Sequence, residues 1–113
     1  MEGGGTQRTR ARLDQWLWFA RFAKTRSLAA RLCTAGAVTI NRVAATKPNR
    51  PVRPGDVVTV PQGGWQHTVR IVALATRRGA ASEARMLYEE VAAPTRLADL
   101  APPWTPLLEP ADE

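Results

Sequence analysis

The side chains able to carry chemistry in this 113-residue chain are few in kind and uneven in position. One cysteine, Cys33, and one histidine, His67, lie far apart in sequence, and neither has a neighbouring base, acid or second soft ligand. A nucleophile–base pair or a zinc site therefore cannot be read from them. The sequence also lacks a phosphate loop, a GxGxxG turn, a GxSxG elbow, an HExxH helix and any close carboxylate pair in its basic half. These exclusions point away from an enzyme and from any metal or cofactor. What remains is cation chemistry. Residues 1–53 hold eleven Lys/Arg against Glu2 and Asp14, a net +9, whereas residues 54–113 hold five arginines against eight acids, a net −3. With a pI near 11.0, this is the footprint of a protein that meets a polyanion, either nucleic acid or an acidic membrane surface.

The cations in question are Arg12, Arg21, Lys24, Arg26, Arg31, Arg42, Lys47, Arg50 and Arg53. An uncompensated +9 over 53 residues costs self-repulsion unless a polyanion relieves it. Arginine outnumbers lysine fourteen to two, which favours forked contacts to phosphate, although a GC-rich genome gives the same bias. If six of these cations meet phosphates, affinity should fall with log[salt] at a slope of roughly −4 to −5.

The elements that must hold these cations follow from local pattern. In RLDQWLWFARFAK, Leu13, Trp16, Leu17 and Ala20 repeat at i, i+3, i+4 and i+7, which predicts a helix over about 12–22. Trp18 and Phe22 form a second stripe on it. Two readings stand for that stripe: cover by the C-terminal segment, or a stacking surface for unpaired bases beside Arg21. Thr25 or Ser27 can cap a second helix near 26–35, with Leu28, Ala29, Leu32 and a structural Cys33 facing inward and Gly36 as the left-handed stop. AVTINRVAAT then alternates as a hairpin turning at Asn41-Arg42, and KPNRPVRPGD is a proline-stiffened loop carrying Lys47, Arg50 and Arg53. VVTV reads as a strand, PQGGW as a turn and QHTVRIVALAT as a further strand with His67 in a polar position. After the basic RRG loop, Ala84, Leu87, Tyr88 and Val91 recur at helical spacing, predicting a helix over about 82–92 capped by Ser82.

These elements divide the chain into a glycine-rich flexible leader (1–9), a domain with its following strand (10–75), a basic loop and helix (76–93) and a proline-rich, acidic tail (94–113). The leader has no apolar core and no run approaches the roughly 20 residues that span a bilayer, so the expected location is the cytoplasm.

RLDQWLWFARFAKTRSLAARLCTAGAVTINR followed by KPNRPVRPGDVVTV resembles the S4 RNA-binding domain, the αL-type motif found in ribosomal protein S4, several pseudouridine synthases and a bacterial tyrosyl-tRNA synthetase. The later stretch TVRIVALATRRGAASEARMLYEE is not part of the general S4 pattern. Together with the RLDxWLWFAR start it resembles the heat-shock protein 15 family, over about residues 10–92. The implied fold is α+β: two N-terminal helices packed on a small antiparallel sheet, with a C-terminal helical extension. The resemblance places Arg12, Lys24, Arg26, Ser27 and the hairpin at Asn41 on the RNA face, with Arg12 and Arg26 foremost. Asp14 is expected to orient nearby cations or the helix start rather than touch RNA. With the cations and cap residue of the same elements, the candidate RNA-binding set is Arg12, Arg21, Lys24, Thr25, Arg26, Ser27, Arg31, Asn41, Arg42, Lys47 and Arg50.

Two departures from the family stand out. Arg42 takes the place of the usual hairpin glycine; a positive φ there costs roughly 1 kcal/mol, so either the turn changes type or the side chain gains an RNA contact. The tail PPWTPLLEPADE stands where better-known members have a basic extension, so contacts made by that extension do not transfer.

The family implies association with the free large ribosomal subunit, its rRNA and the tRNA of a nascent chain, in rescue or quality control under stress. Neither a membrane nor DNA is expected as the main partner. A generic S4 RNA binder in subunit assembly or RNA regulation is one rival, and an accessory subunit lending RNA affinity to a separate modifying enzyme is another.

Overall fold

Two short helices open the fold, and both end on the same backbone device. In this computed structural model, which describes residues 10–99, helix α1 spans Leu13–Phe19 and helix α2 spans Arg26–Thr34. At the end of α1, Phe22 N–H donates to the Leu17 carbonyl (2.9 Å) and Arg21 N–H to that of Trp18 (3.1 Å). At the end of α2, Ala37 N–H donates to Leu32 (3.0 Å) and Gly36 N–H to Cys33 (2.9 Å). Each is the paired closure of a Schellman motif, which needs a left-handed residue just past the helix. Gly36 supplies it at φ 76° and Arg21 at φ 67°. This corrects the expected first helix of 12–22: its apolar periodicity continues past Phe19, but Arg21 turns the chain.

The strands are β1 (Ala11–Arg12), β2 (Thr39–Ile40), β3 (Val43–Ala44), β4 (Pro51–Val52), β5 (Val57–Gln62), β6 (Trp65–Ile71) and β7 (Tyr88–Arg96). All pairings are antiparallel. β1 pairs with β4, and the larger sheet runs β3-β2-β5-β6-β7. The β2–β3 hairpin turns on Asn41 (φ 52°) and Arg42 (φ 73°) with Ile40 opposite Val43, the geometry of a type I′ turn. Arg42 thus keeps the turn conformation of an Asn-Gly hairpin without its glycine. Gly63 and Gly64 make the β5–β6 hairpin, so Trp65 opens β6 rather than closing the turn.

The expected helix over 82–92 is the main correction. Only Ala81–Ala84 is α-helical (α3), without a side-chain cap from Ser82, and Arg85–Leu87 adds one 3-10 turn. From Tyr88 the chain is strand, with Tyr88 opposite Ile71, Glu89 opposite Arg70 and Glu90 opposite Val69. The i, i+4 spacing of Leu87 and Val91 is real, but β6 otherwise presents an open edge of backbone donors and acceptors, and pairing with 88–96 closes it. The extension is therefore a helical turn leading into a long edge strand. That strand carries the first residues assigned to the tail into the sheet, with a short 3-10 turn at Leu97–Asp99. The leader 1–9 and residues 100–113 lie outside the described residues.

The core lies between the helices and the larger sheet: Leu13, Trp16, Leu17, Ala29, Cys33, Val38, Ile40, Val52, Val58, Val60, Val69 and Ile71 are buried. Trp16 is fully enclosed and its indole N–H donates to the Ala73 carbonyl at 3.1 Å, so its polar edge is satisfied. Truncating it to alanine should cost roughly 3–5 kcal/mol. The second aromatic stripe divides. Phe22 is buried with its ring 4.8 Å from Tyr88 of β7 and 6.2 Å from Trp16, so the C-terminal strand covers it. Trp18 is only half-buried. Cys33 is the expected structural thiol: burial pushes it up to about 11, well away from thiolate chemistry at neutral pH.

Candidate nucleic-acid interface

The start of α1 is assembled from three chain segments. Leu13 N–H donates to the Arg50 carbonyl (2.9 Å) and Asp14 N–H to that of Pro48 (3.0 Å), while Ala11 and Arg12 pair with Val52 and Pro51. Two helix N–H groups that no helical carbonyl can satisfy are thus met by the proline-stiffened loop, bringing Arg12, Lys47 and Arg50 to one end of the molecule. Asp14 is buried, the one buried charged side chain among the described residues. Its Oδ1 accepts from Arg12 Nε (3.1 Å) and its Oδ2 from Arg12 Nη2 (2.9 Å), a forked pair that fixes the guanidinium plane. Oδ1 also accepts from the Gln15 amide at 2.7 Å, where the helix dipole favours a carboxylate. The hydrogen bond to Asp14, and next its charge, raise the Arg12 guanidinium above its ordinary value. Arg12 remains exposed at the edge of an open hollow of about 500 Å³ lined by Arg10, Gln15 and Asn49. Arg50 is half-buried and donates through Nη1 to the Pro51 carbonyl (2.6 Å), whereas Lys47 is exposed.

At α2, Thr25 rather than Ser27 is the cap: its Oγ1 accepts from Leu28 N–H at 3.0 Å. Lys24, Thr25, Arg26 and Ser27 are all exposed around this helix start, and Arg31 is exposed in the last turn, where the helix dipole favours a cation. Arg26 lies with its guanidinium carbon 5.9 Å from the Trp18 ring centroid.

Two further members of the candidate set have structural work. Arg21 donates through Nε (3.0 Å) and Nη2 (2.9 Å) to the Gly79 carbonyl, tying the α1 end to the basic loop beyond β6. Asn41 donates through Nδ2 to Asp56 Oδ1 (3.2 Å) and accepts through Oδ1 from the Val57 amide (3.0 Å), locking the hairpin to the start of β5. Asp56 also accepts from the Arg53 amide at 3.0 Å, closing the turn before that strand. Arg42 stands exposed at a different hollow, of about 590 Å³, with Thr59, Thr68 and Val91 of the outer sheet face. That hollow shares no residue with the one beside Arg12. The structure thus joins Arg12 with Lys47 and Arg50, groups Lys24 to Ser27 beside Trp18, and sets Arg42 apart.

One cation outside the candidate set joins the α2 group. Arg78, in the loop after β6, donates through Nε to the Trp18 carbonyl (3.0 Å) with its guanidinium carbon 5.6 Å from the same indole centroid. The RRG stretch is visible as basic in the sequence, but it belongs to the half with net negative charge and lies 60 residues from its partner in the chain. His67 packs its ring 5.9 Å from Phe22, and its Nδ1 lies 3.6 Å from a Glu90 carboxylate oxygen across the β6–β7 pair.

Comparison with known proteins places this geometry. Residues 11–58 match the S4 domain family, which takes in β1, both major helices and the chain as far as the start of β5. A solved trimeric structure of heat shock protein 15 from Vibrio cholerae superposes with a TM-score of 0.70 at 43% identity, covering 74% of this chain and 83% of that one. The chain belongs to the heat shock protein 15 family. Heat shock protein 15 of Escherichia coli K12 is 44% identical over 81 residues, 72% of this chain and 60% of that protein. The homolog from Haemophilus influenzae is 42% identical over 79 residues, 70% and 60% of the respective chains. The matched region thus spans about 60% of the length of these curated relatives. Similarity within the heat shock protein 15 family also runs beyond the S4 segment, which alone would end before β6. The α+β arrangement of two helices on an antiparallel sheet is the S4 fold anticipated from the sequence.

Proposed function

We propose that this protein is a non-catalytic RNA-binding factor that docks its basic face on the rRNA of the large ribosomal subunit and on the tRNA of an obstructed subunit, helping to rescue or recycle it in the cytoplasm. The observation that carries this reading is the state of the cations at the starts of α1 and α2. Arg12 is held in plane by a buried carboxylate, and Lys24 and Arg26 stand exposed at a capped helix start with no ion pair among the described residues. Preset guanidinium planes beside helix N-termini suit phosphate, because the donors are aligned before the ligand arrives. Membership of the heat shock protein 15 family, with its S4 segment, supports RNA as the polyanion.

Sedimentation of cell extracts through sucrose gradients tests the reading. The protein should travel with free large subunits at low salt, and Arg26→Glu should shift it toward the top with at least a tenfold loss of affinity while the circular dichroism spectrum stays unchanged. Recovery only from ribosome-free fractions at low salt would overturn the ribosomal assignment. Crosslinks scattered over messenger RNA, rather than rRNA around the tRNA sites, would favour a general RNA regulator.

A further inference from the structure

The loop between β6 and α3 lies outside the S4 segment, yet it is clamped to the S4 helices from both sides. Arg21 reaches from the end of α1 to the Gly79 carbonyl, and Arg78 reaches back to the carbonyl of Trp18. Gln62 of β5 fixes the same end of α1 to the sheet by donating through Nε2 to the Arg21 carbonyl at 2.7 Å. This cross-bracing leaves Arg78 in a particular state. Its Nε is used, but its Nη groups donate to no acceptor among the described residues, and it forms no ion pair there. Glu83, whose carboxylate lies against Gly79, instead pairs with the neighbouring Arg77 at 3.6 Å.

Arg78 and Arg26 therefore face one half-buried indole, at 5.6 and 5.9 Å, with Lys24 exposed two residues before Arg26. Cation–π attraction to Trp18 positions both guanidiniums but cancels neither charge. Both being within 6 Å of one ring centroid, the two charges lie at most about 12 Å apart, a span that one nucleic-acid strand can cover. Their remaining N–H groups form the planar fork that matches phosphate oxygens. A half-buried, oriented guanidinium also loses less conformational freedom on binding than a free surface arginine.

We infer that Arg78 is an RNA-contacting residue: braced on Trp18 beside Arg26, it takes a backbone phosphate on the same strand that Arg26 contacts, so the RNA path crosses from the S4 helices onto the extension. This rests on the RNA-binding function proposed above and adds a contact that the S4 segment does not contain.

The test measures binding of the full-length protein to deproteinised large-subunit rRNA across a salt series. Arg78→Gln should weaken binding about tenfold at 0.1 M salt and reduce the slope of log K against log[salt] by roughly 0.7–0.9, the loss of one phosphate contact. Arg78→Lys should keep most of the slope, because the charge remains. Arg77→Gln should bind within about twofold of the parent. A folded Arg78→Gln protein with parental affinity and slope, while Arg26→Glu is weakened, would overturn the inference and leave the RNA-binding function standing. So would a folded Arg78→Lys protein that has lost slope, since that marks a packing role. Failure of the parent protein to bind rRNA at low salt would instead remove the function itself. If Arg78→Gln changed binding to anionic phospholipid vesicles and not to RNA, the residue would belong to a membrane contact and the inference would fall.

Discussion

Of the five arginines after residue 54, three meet carboxylates, Arg70 with Glu89 on the neighbouring strand, Arg77 with Glu83 and Arg96 with Asp99, whereas Arg78 and Arg85 have no ion pair among the described residues. Around the starts of α1 and α2 the proportion reverses. Asp14 takes both bonds from Arg12, while Lys24 and Arg26, with Arg31 in the last turn of α2, stand exposed without an ion pair among the described residues. The sheet pairs are all solvent-exposed, where such contacts are worth about 0–1 kcal/mol, so their effect is to keep the surface locally neutral. Apart from Arg12, these helix cations have no carboxylate partner among the described residues, and an external anion relieves their mutual repulsion. What separates a solvated surface from a binding surface here is where the carboxylates lie, not how many arginines there are.

Asp14 is the point at which this contrast can be broken most sharply, because among the described residues it is the one acid of the basic half. Asp14→Ala removes the acceptor of the Gln15 amide at the positive end of α1, which should lower stability by roughly 1–2 kcal/mol in urea unfolding. It also frees Arg12 to rotate. Raising the net positive charge while weakening rRNA binding would show that alignment outweighs charge; tighter binding would show the reverse.

Much of this arrangement is legible in the sequence. The core face of α1, the α2 stop at Gly36 and the turn at Asn41-Arg42 follow from spacing and residue type, whereas the choice of cations for the RNA face follows from the resemblance to the S4 domain. The misses share a cause. Arg21 ends α1 through a left-handed backbone that residue type argues against, and it is stabilised by contacts to Gly79 and Gln62 distant in sequence. Residues 88–91 carry a helical repeat, but pairing with β6 gives them nine residues of strand with Tyr88 packed on Phe22. Arg78 gains its place only because the loop folds back on Trp18. Local pattern cannot report a partner about 60 positions away.

The two Schellman closures offer a second, smaller test of whether the basic side is preset. A Cβ at Gly36 would meet no atom within 4 Å, so Gly36→Ala should cost only the backbone strain of φ 76°, about 1–2 kcal/mol of global stability. Arg21→Gly should relieve the same strain yet release the tether to Gly79, leaving overall stability within about 1 kcal/mol of the parent. Its signature is local: amide hydrogen exchange should accelerate in residues 76–80 and not in α2. Uniform acceleration would mean that the extension is not held by Arg21.

The smallest expected effect draws the boundary of the binding surface. Arg70 and Glu89 sit opposite each other on β6 and β7, with side chains about half exposed. A double-mutant cycle on the pair should give a coupling of about 0.2–1 kcal/mol that fades at 1 M salt. More telling is RNA binding by Arg70→Ala, which should keep the parental salt slope, whereas Arg26→Ala should lose roughly 0.7–0.9 of it. On the sheet both partners are exposed and Glu89 meets the Nη1 end of Arg70, whereas the buried Asp14 takes Arg12 through Nε and Nη2 and leaves its Nη1 without an acceptor among the described residues. If Arg70→Ala lowers the slope as much as Arg26→Ala, the sheet arginines face RNA too, and the division between neutralised and binding arginines fails.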